Sequence, residues 1–291
     1  MANKNLDLTI IILNYNGLDW LKLTLESLDT FYLKKTKYQV EVVVVDNHSS
    51  DGSIEFLQKQ HIASTMLLKD NLGFAAGNNV ALKTVTSRYT MLLNSDTQFD
   101  QRSNLDHLIE YLDDHTDVDV ISPLLLLTSG QIDLASHRGE PTLMAAVTYF
   151  LGLESKFPQV KAFSKYHLLD RDFAATHRID ACSGAAMIVR TSQMKKIGLL
   201  DERFFFYAED LDWCKRFREN GGKIVYFPSV VVIHHKYKSG QKNQDKQIAQ
   251  KTHNYFYDTM IQYFEKHYAK QYPKIVTKLV KIIINIKKGV S

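Results

Sequence analysis

Cysteine is scarce in this chain of 291 residues: Cys182 and Cys214 are the only two. That is too few for a disulfide framework, and they form no Cys-x-x-Cys pair, so a reducing compartment is the default and both read as small buried hydrophobes. Long apolar runs are missing too, since no stretch reaches the roughly 18 residues a spanning helix needs. The amino terminus, with Asn3, Asn5 and Asp7 ahead of a short apolar run, has no apolar core of a signal peptide. These absences predict a cytoplasmic protein, or one held peripherally on the inner face of a membrane. The glycine fingerprints of the commoner nucleotide folds are also absent. No G-x-G-x-x-G follows the first apolar run and no G-x-x-x-x-G-K-[ST] occurs anywhere, which argues against a dehydrogenase or a P-loop enzyme.

Charge is unevenly spread. Residues 1–235 hold 24 basic and 29 acidic side chains, a net of −5, whereas residues 236–291 hold 12 lysines and 3 acids, a net of +9. An acidic body argues against nucleic-acid binding, and a basic tail suits an anionic surface such as membrane headgroups. What the chain has in quantity is apolar residues, 45% by count, enough to fill a large core.

Short β-branched runs alternate with amphipathic segments through the first 122 residues, the pattern of βαβ units around a mostly parallel sheet. Strands are predicted at 8–13, 40–45, 65–68, 89–93 and 118–122, with helices at 18–29, 53–60, 75–86 and 104–115 between them. The pattern loosens from Pro123 to Arg178, apart from an apolar stretch at 143–153 that reads as a buried or membrane-touching helix. A strand over 179–189 interrupted by Ser183-Gly184, a helix from Ala208 to Asn220 ended by two glycines, strands on either side of Pro228, and a helix from about Ile248 onward complete the reading. The expected division is a domain over 1–240, with a nucleotide-binding half to about 122 and an acceptor half beyond, followed by a basic helical extension over 241–291.

Ligands of open α/β sheets sit beyond the carboxyl ends of the strands. Here those ends are polar: Asn14-Tyr15-Asn16-Gly17, Asp46-Asn47-His48-Ser49-Ser50-Asp51-Gly52, Asp70-Asn71-Leu72-Gly73 and Asn94-Ser95-Asp96. Each alone is ordinary turn chemistry. Together they suit a nucleotide held by side chains, with Tyr15 packing on a base, Asp46 accepting from a base N–H and Asp96 serving a metal on the phosphates.

Those runs, with Asn71-Leu72-Gly73-Phe74-Ala75-Ala76-Gly77-Asn78-Asn79 and Phe205-Phe206-Tyr207-Ala208-Glu209-Asp210-Leu211-Asp212-Trp213, give the chain a close resemblance to glycosyltransferase family 2. The resemblance extends to its bacterial rhamnosyltransferase-like members, which share Ser183-Gly184-Ala185 and the position of His234. It implies a GT-A fold and an inverting transfer of a sugar, with L-rhamnose on dTDP as the first choice and UDP-linked galactose, N-acetylglucosamine or galactofuranose as alternatives. The implied acceptor is a surface glycan or a polyprenyl-linked saccharide.

Position by position, the resemblance implies that Asn14, Tyr15, Asn16, Asp46, Asn71, Gly73, Gly77 and Asn78 surround the nucleoside and that Asn94, Ser95 and Asp96 face the diphosphate. Asp96 and His234 would hold Mg²⁺ or Mn²⁺, with His235 as a fallback. The usual Asp-x-Asp reads Asn94-Ser95-Asp96 here, which leaves one motif carboxylate. Asp210 would be the base and Glu209 would orient the acceptor, with Gly184, Tyr207 and Trp213 beside it. Arg138 is expected in a loop salt bridge or against a phosphate or acceptor. Two rivals are a non-catalytic binding subunit and a nucleotidyltransferase, the latter weakened because 14–17 lacks a basic glycine-rich loop. In the tail, Lys274, Lys278, Lys281 and Lys288 form one helical stripe and Val276, Leu279, Val280 and Ile283 another. Such a helix can lie on a membrane or pack its apolar stripe on the domain.

Overall fold

The computed structural model describes residues 6–236 and 246–290. Its strands are β1 (Leu8–Asn14), β2 (Val40–Asp46), β3 (Ser64–Leu67), β4 (Tyr89–Asn94), β5 (Thr97–Gln98), β6 (Val118–Leu127), β7 (His177–Ile179), β8 (Ala186–Arg190) and β9 (Lys223–His234). Its α-helices are α1 (Leu18–Leu28), α2 (Ser53–Leu57), α3 (Gly73–Leu82), α4 (Asp106–Asp114), α5 (Leu143–Phe150), α6 (Leu153–Lys156), α7 (Thr191–Ile197), α8 (Glu209–Glu219), α9 (Lys246–His267) and α10 (Lys274–Val290).

The strands form one sheet in the order β3-β2-β1-β4-β8-β6-β9-β5, with β7 also on β9. β1, β2, β3 and β4 are all parallel. Antiparallel β8 then lies between β4 and β6, so the sheet is parallel in its first half and mixed in its second. From β1 the chain steps outward through β2 and β3, then returns to the other side of β1 as β4. That reversal opens a crevice at the carboxyl ends of β1 and β4.

Residue alternation on the central strands supplies both faces. Leu8, Ile10, Ile12, Val42 and Val44 pack with α1 and α4, while Ile11, Val43 and Val45 pack with α3, α7 and α8. Near-continuous apolar runs are what a strand buried on both faces requires.

Four segments depart from the sequence reading. β3 is a partly exposed edge strand, because only β2 flanks it. The expected strand over 179–189 is two, with β7 on β9 and β8 between β4 and β6. β9 runs unbroken through Pro228, where a register jump from Phe227 to Val231 against β6 absorbs the missing N–H. The terminal helix is two helices, broken before Pro273. The expected domain boundary at 240 lies outside the described residues. Beyond it, α9 is tied to the body: Lys266 and His267 both reach the buried carboxylate of Asp212, and Tyr263 and Tyr268 donate to Glu140.

Candidate active site

At the nucleotide end, β1 and β2 finish side by side at Asn14 and Asp46. Asn14 Nδ2 donates to Asp46 Oδ2 at 2.9 Å, and the Ser49 N–H donates to Asp46 Oδ1 at 2.8 Å. Asp46 is therefore a fully buried anchor between two loops. Tyr15, beside it, is 49% exposed and offers a free ring face. Asn16 takes a left-handed φ of 49° and accepts the Ser50 N–H at 2.7 Å.

Asn47, to which the sequence reading gave no role, organises the next loop. Its Nδ2 donates to Asn71 Oδ1 at 2.9 Å and to the Gly73 carbonyl at 3.2 Å, and its Oδ1 accepts from the Leu72 N–H at 2.9 Å. Its position directly after Asp46 was the available signal. Gly73 has φ +81°, and a Cβ there would stand 2.5 Å from the Phe205 carbonyl; at Gly77 it would meet Leu13 at 2.7 Å. Gly73 is thus demanded by backbone packing and its φ, whereas at Gly77 the contact is with the end of a flexible side chain. Asn78 does not match its expected role: it is buried, and its amide donates to the Phe74 carbonyl one turn back in α3.

The end expected to hold a metal is built where β5 pairs with the end of β9, Thr97 opposite His234. His234 Nε2 lies 3.2 Å from Asp96 Oδ1 and 3.5 Å from Asn94 Nδ2, while Nδ1 is 2.8 Å from Asp133 Oδ2. Burial opposes a positive imidazole, but the hydrogen bonds to Asp133 and Asp96 outweigh it and raise His234 to about 9. Asp133 goes the opposite way: despite its burial, its bond with His234 and the charge of Lys236 hold it well below the usual carboxylate range. Ser95 contributes its carbonyl to Thr24. His235 points elsewhere, as strand alternation requires, bonding Gln98 at 2.8 Å and stacking near Trp20.

A buried carboxylate on Nδ1 is the usual means of aiming Nε2 at a metal, so Asp133, His234 and Asp96 suit a divalent cation. Among the described residues, no group of three or more His, Cys, Asp or Glu side chains could hold one alone. The protein thus offers two donors, and phosphate oxygens of a ligand would complete the shell.

The end expected to be catalytic is the first turn of α8. Tyr207 and Ala208 precede it with φ of +74° and +67°, two successive left-handed residues that cost of order 1–3 kcal/mol each and set the carboxylates that follow. Asp210 Oδ2 accepts from buried Arg138 at 2.7 Å and from the Gly184 N–H at 3.4 Å, and Oδ1 accepts from the Leu211 N–H at 2.7 Å. Of the readings open for Arg138, the structure selects this ion pair. Glu209 is buried with Oε2 unpartnered, and burial, reinforced by the neighbouring Asp210 charge, pushes its carboxyl up to about 8. Tyr207 remains partly exposed. Trp213 does not: it is 0% exposed, packed against Phe217, with its N–H on the Gly198 carbonyl at 3.0 Å. Its place on the inward side of α8 denies it a sugar face.

Both ends meet on one rim. The Gly184 N–H reaches Asp210, the next carbonyl, Ala185, accepts from the Asn94 N–H at 3.0 Å, and Asn94 adjoins His234, which pairs with Asp96. An unbroken run of contacts therefore joins base and metal positions. Space is tight at Gly184, where a Cβ would stand 3.2 Å from the Phe74 ring.

Comparison with known proteins bears on the family and the fold. The chain is 23% identical over 227 residues to N-acetylglucosaminyl-diphospho-decaprenol L-rhamnosyltransferase of Mycobacterium tuberculosis, covering 74% of this chain and 72% of that one. It is 26% identical to rhamnosyltransferase WbbL of Escherichia coli, covering 78% of this chain and 82% of the relative. Among solved structures, S. aureus TarS residues 1–349 align with a TM-score of 0.55 at 18% identity, covering 86% of this chain and 65% of that one. GalNAc-T7 with UDP, GalNAc and Mn²⁺ aligns with a TM-score of 0.58 at 13% identity, covering 89% of this chain and 48% of that one. The chain thus spans less than two thirds of either solved structure, and the likeness concerns the GT-A fold. Residues 9–184 match the sequence profile of glycosyl transferase family 2, and with the rim geometry this places the chain in that family, as a glycosyltransferase.

Proposed function

We propose that the protein transfers a sugar, L-rhamnose from dTDP-rhamnose in the first instance, to a hydroxyl of a lipid-linked bacterial surface glycan, with inversion at the anomeric carbon. The observation that carries this reading is the contact path from Asp210 through Gly184, Ala185 and Asn94 to His234 and Asp96. It supports a reading in which an acid pair and a cation site flank one diphospho-sugar. Tyr15 and Asp46 take the base. Asp210 accepts the acceptor's hydroxyl proton as that oxygen attacks the anomeric carbon and the diphosphate departs. Arg138 holds Asp210 in place, and Glu209, protonated over much of the neutral range, donates to the acceptor or its ring oxygen. A divalent cation held by Asp96 and His234 would offset the charge gathered on the leaving phosphates; Mg²⁺ and Mn²⁺ both suit these donors, and the imidazole tilts the preference to Mn²⁺.

The relatives named as rhamnosyltransferases support the donor. A UDP-sugar is the second reading, favoured by the UDP in solved structures of like fold. The division at about residue 240 is retained, with the helical extension docked on the catalytic body. The test is a panel of dTDP- and UDP-sugars with Mg²⁺ or Mn²⁺, read by thermal shift and by donor turnover. Asp210→Asn should cut turnover by about 10² or more while donor affinity holds. Unchanged turnover would reject Asp210 as base, whereas a non-catalytic binding subunit would show no donor turnover of its own and would leave its complex's activity unchanged by the same substitution.

A further inference from the structure

We infer that the outer face of α10 is a docking surface for an anionic lipid bilayer. The helix packs through Val280 and Ile284, yet a second apolar row lies on its opposite side. Ile275, Leu279, Ile282, Ile283 and Ile286 are between 44% and 63% exposed, and their spacing places them along one stripe. The inward face is thus filled while the more apolar face meets water, contrary to a helix that only packs on its domain.

Charge selects the occupant. α10 carries five lysines and no acidic residue. Lys281 and Lys288 are paired with Glu265 and Asp258 of α9, whereas Lys274 and Lys278 are exposed at the margin of the stripe without an ion pair among the described residues. An apolar row flanked by lysines matches acyl chains below anionic headgroups. A second copy of the same face would instead bring lysines against lysines. No helix among the described residues is long and apolar enough to cross a membrane, so the fit is to the surface plane.

A second apolar row is also exposed. Met144, Val147 and Leu151 on and after α5 are 60%, 44% and 67% exposed at i, i+3, i+7 spacing. α5 begins just after Glu140, which accepts from Tyr268 ahead of α10, a contact that ties the segments leading into the two helices. Docking stands apart from the donor's identity. Its use, bringing a lipid-borne acceptor to Asp210, rests on the transfer proposed above.

The test is flotation of the full chain with phosphatidylcholine vesicles, with or without a quarter phosphatidylglycerol, at low and high salt. Binding only to the anionic vesicles, weakened by salt, is expected. Leu279→Asp with Ile283→Asp should lower partitioning at least tenfold, and Lys274→Gln with Lys278→Gln about as much. Both pairs should leave thermal unfolding and donor turnover in solution as they were, because neither touches the packed face. Equal partitioning of native protein and variants would overturn the inference. So would a concentration-dependent dimer abolished by the same aspartates in protein that ignores vesicles. Loss of donor turnover in the native chain would instead count against the enzymatic reading alone.

Discussion

Glu209→Gln separates what the site needs from what the fold prefers. In the folded chain the Glu209 carboxyl is raised from 4.5 to about 8 by burial first and by Asp210 second. A carboxyl raised on folding stabilises relative to its ionised form: the contribution is complete below the unfolded value and is lost as pH climbs toward the folded one. Between about pH 5 and pH 7.5, folding must hold one proton that the unfolded chain releases, so native stability falls by about 1.4 kcal/mol per pH unit from this group. Glutamine cannot ionise and escapes that loss. The variant's stability relative to native protein should therefore improve by about 2–3 kcal/mol from pH 5 to pH 7, then level off near pH 8. Its turnover should fall only modestly, since the amide N–H can still donate to the acceptor in place of the protonated acid. Urea unfolding of both proteins at half-unit pH steps measures the difference. A stability difference that stays flat from pH 5 to 8 would mean that Glu209 is solvated and the buried acid pair does not exist.

Arg138→Met should strand Asp210 without its counter-charge and cost about 3–5 kcal/mol of stability together with turnover, while Arg138→Lys recovers part of each, measurable by urea unfolding and kcat. Gly73→Ala forces a side chain onto the Phe205 carbonyl at φ +81° and should lose about 1–3 kcal/mol and raise the donor KM, read by denaturation and steady-state kinetics. Asp133→Asn leaves Asp96 and His234 in place but removes the carboxylate that aims the imidazole. It should weaken Mn²⁺ binding, titrated by calorimetry with nucleoside diphosphate present, by about 10–100-fold.

The strand ends were legible because each is a local event: an apolar run stops and an Asn or Asp follows within two residues. The acid pair was legible for the same reason, since Glu209-Asp210 opens a helix whose first turn announces itself. Asp133 was not. It lies 101 residues from His234 in a stretch without periodicity, and only the neighbouring ends of β6 and β9 bring the two together. Arg138 and Asp210 are 72 residues apart, and neither side's local pattern names the other. Trp213 misled because a tryptophan beside two acids looks like a sugar platform, whereas helical phase alone turns it inward.

Local chemistry, carried by a few residues in a row, was enough to determine the βαβ order, the polar rim and the kinds of group that stand on it. Direction and partnership came only with the folded chain: which histidine of the pair faces Asp96, which carboxylate meets Arg138, which side of α10 is left to solvent. A strand's alternation, a helix's phase and the neighbours of a sheet are relations between segments far apart in sequence, and packing alone resolves them.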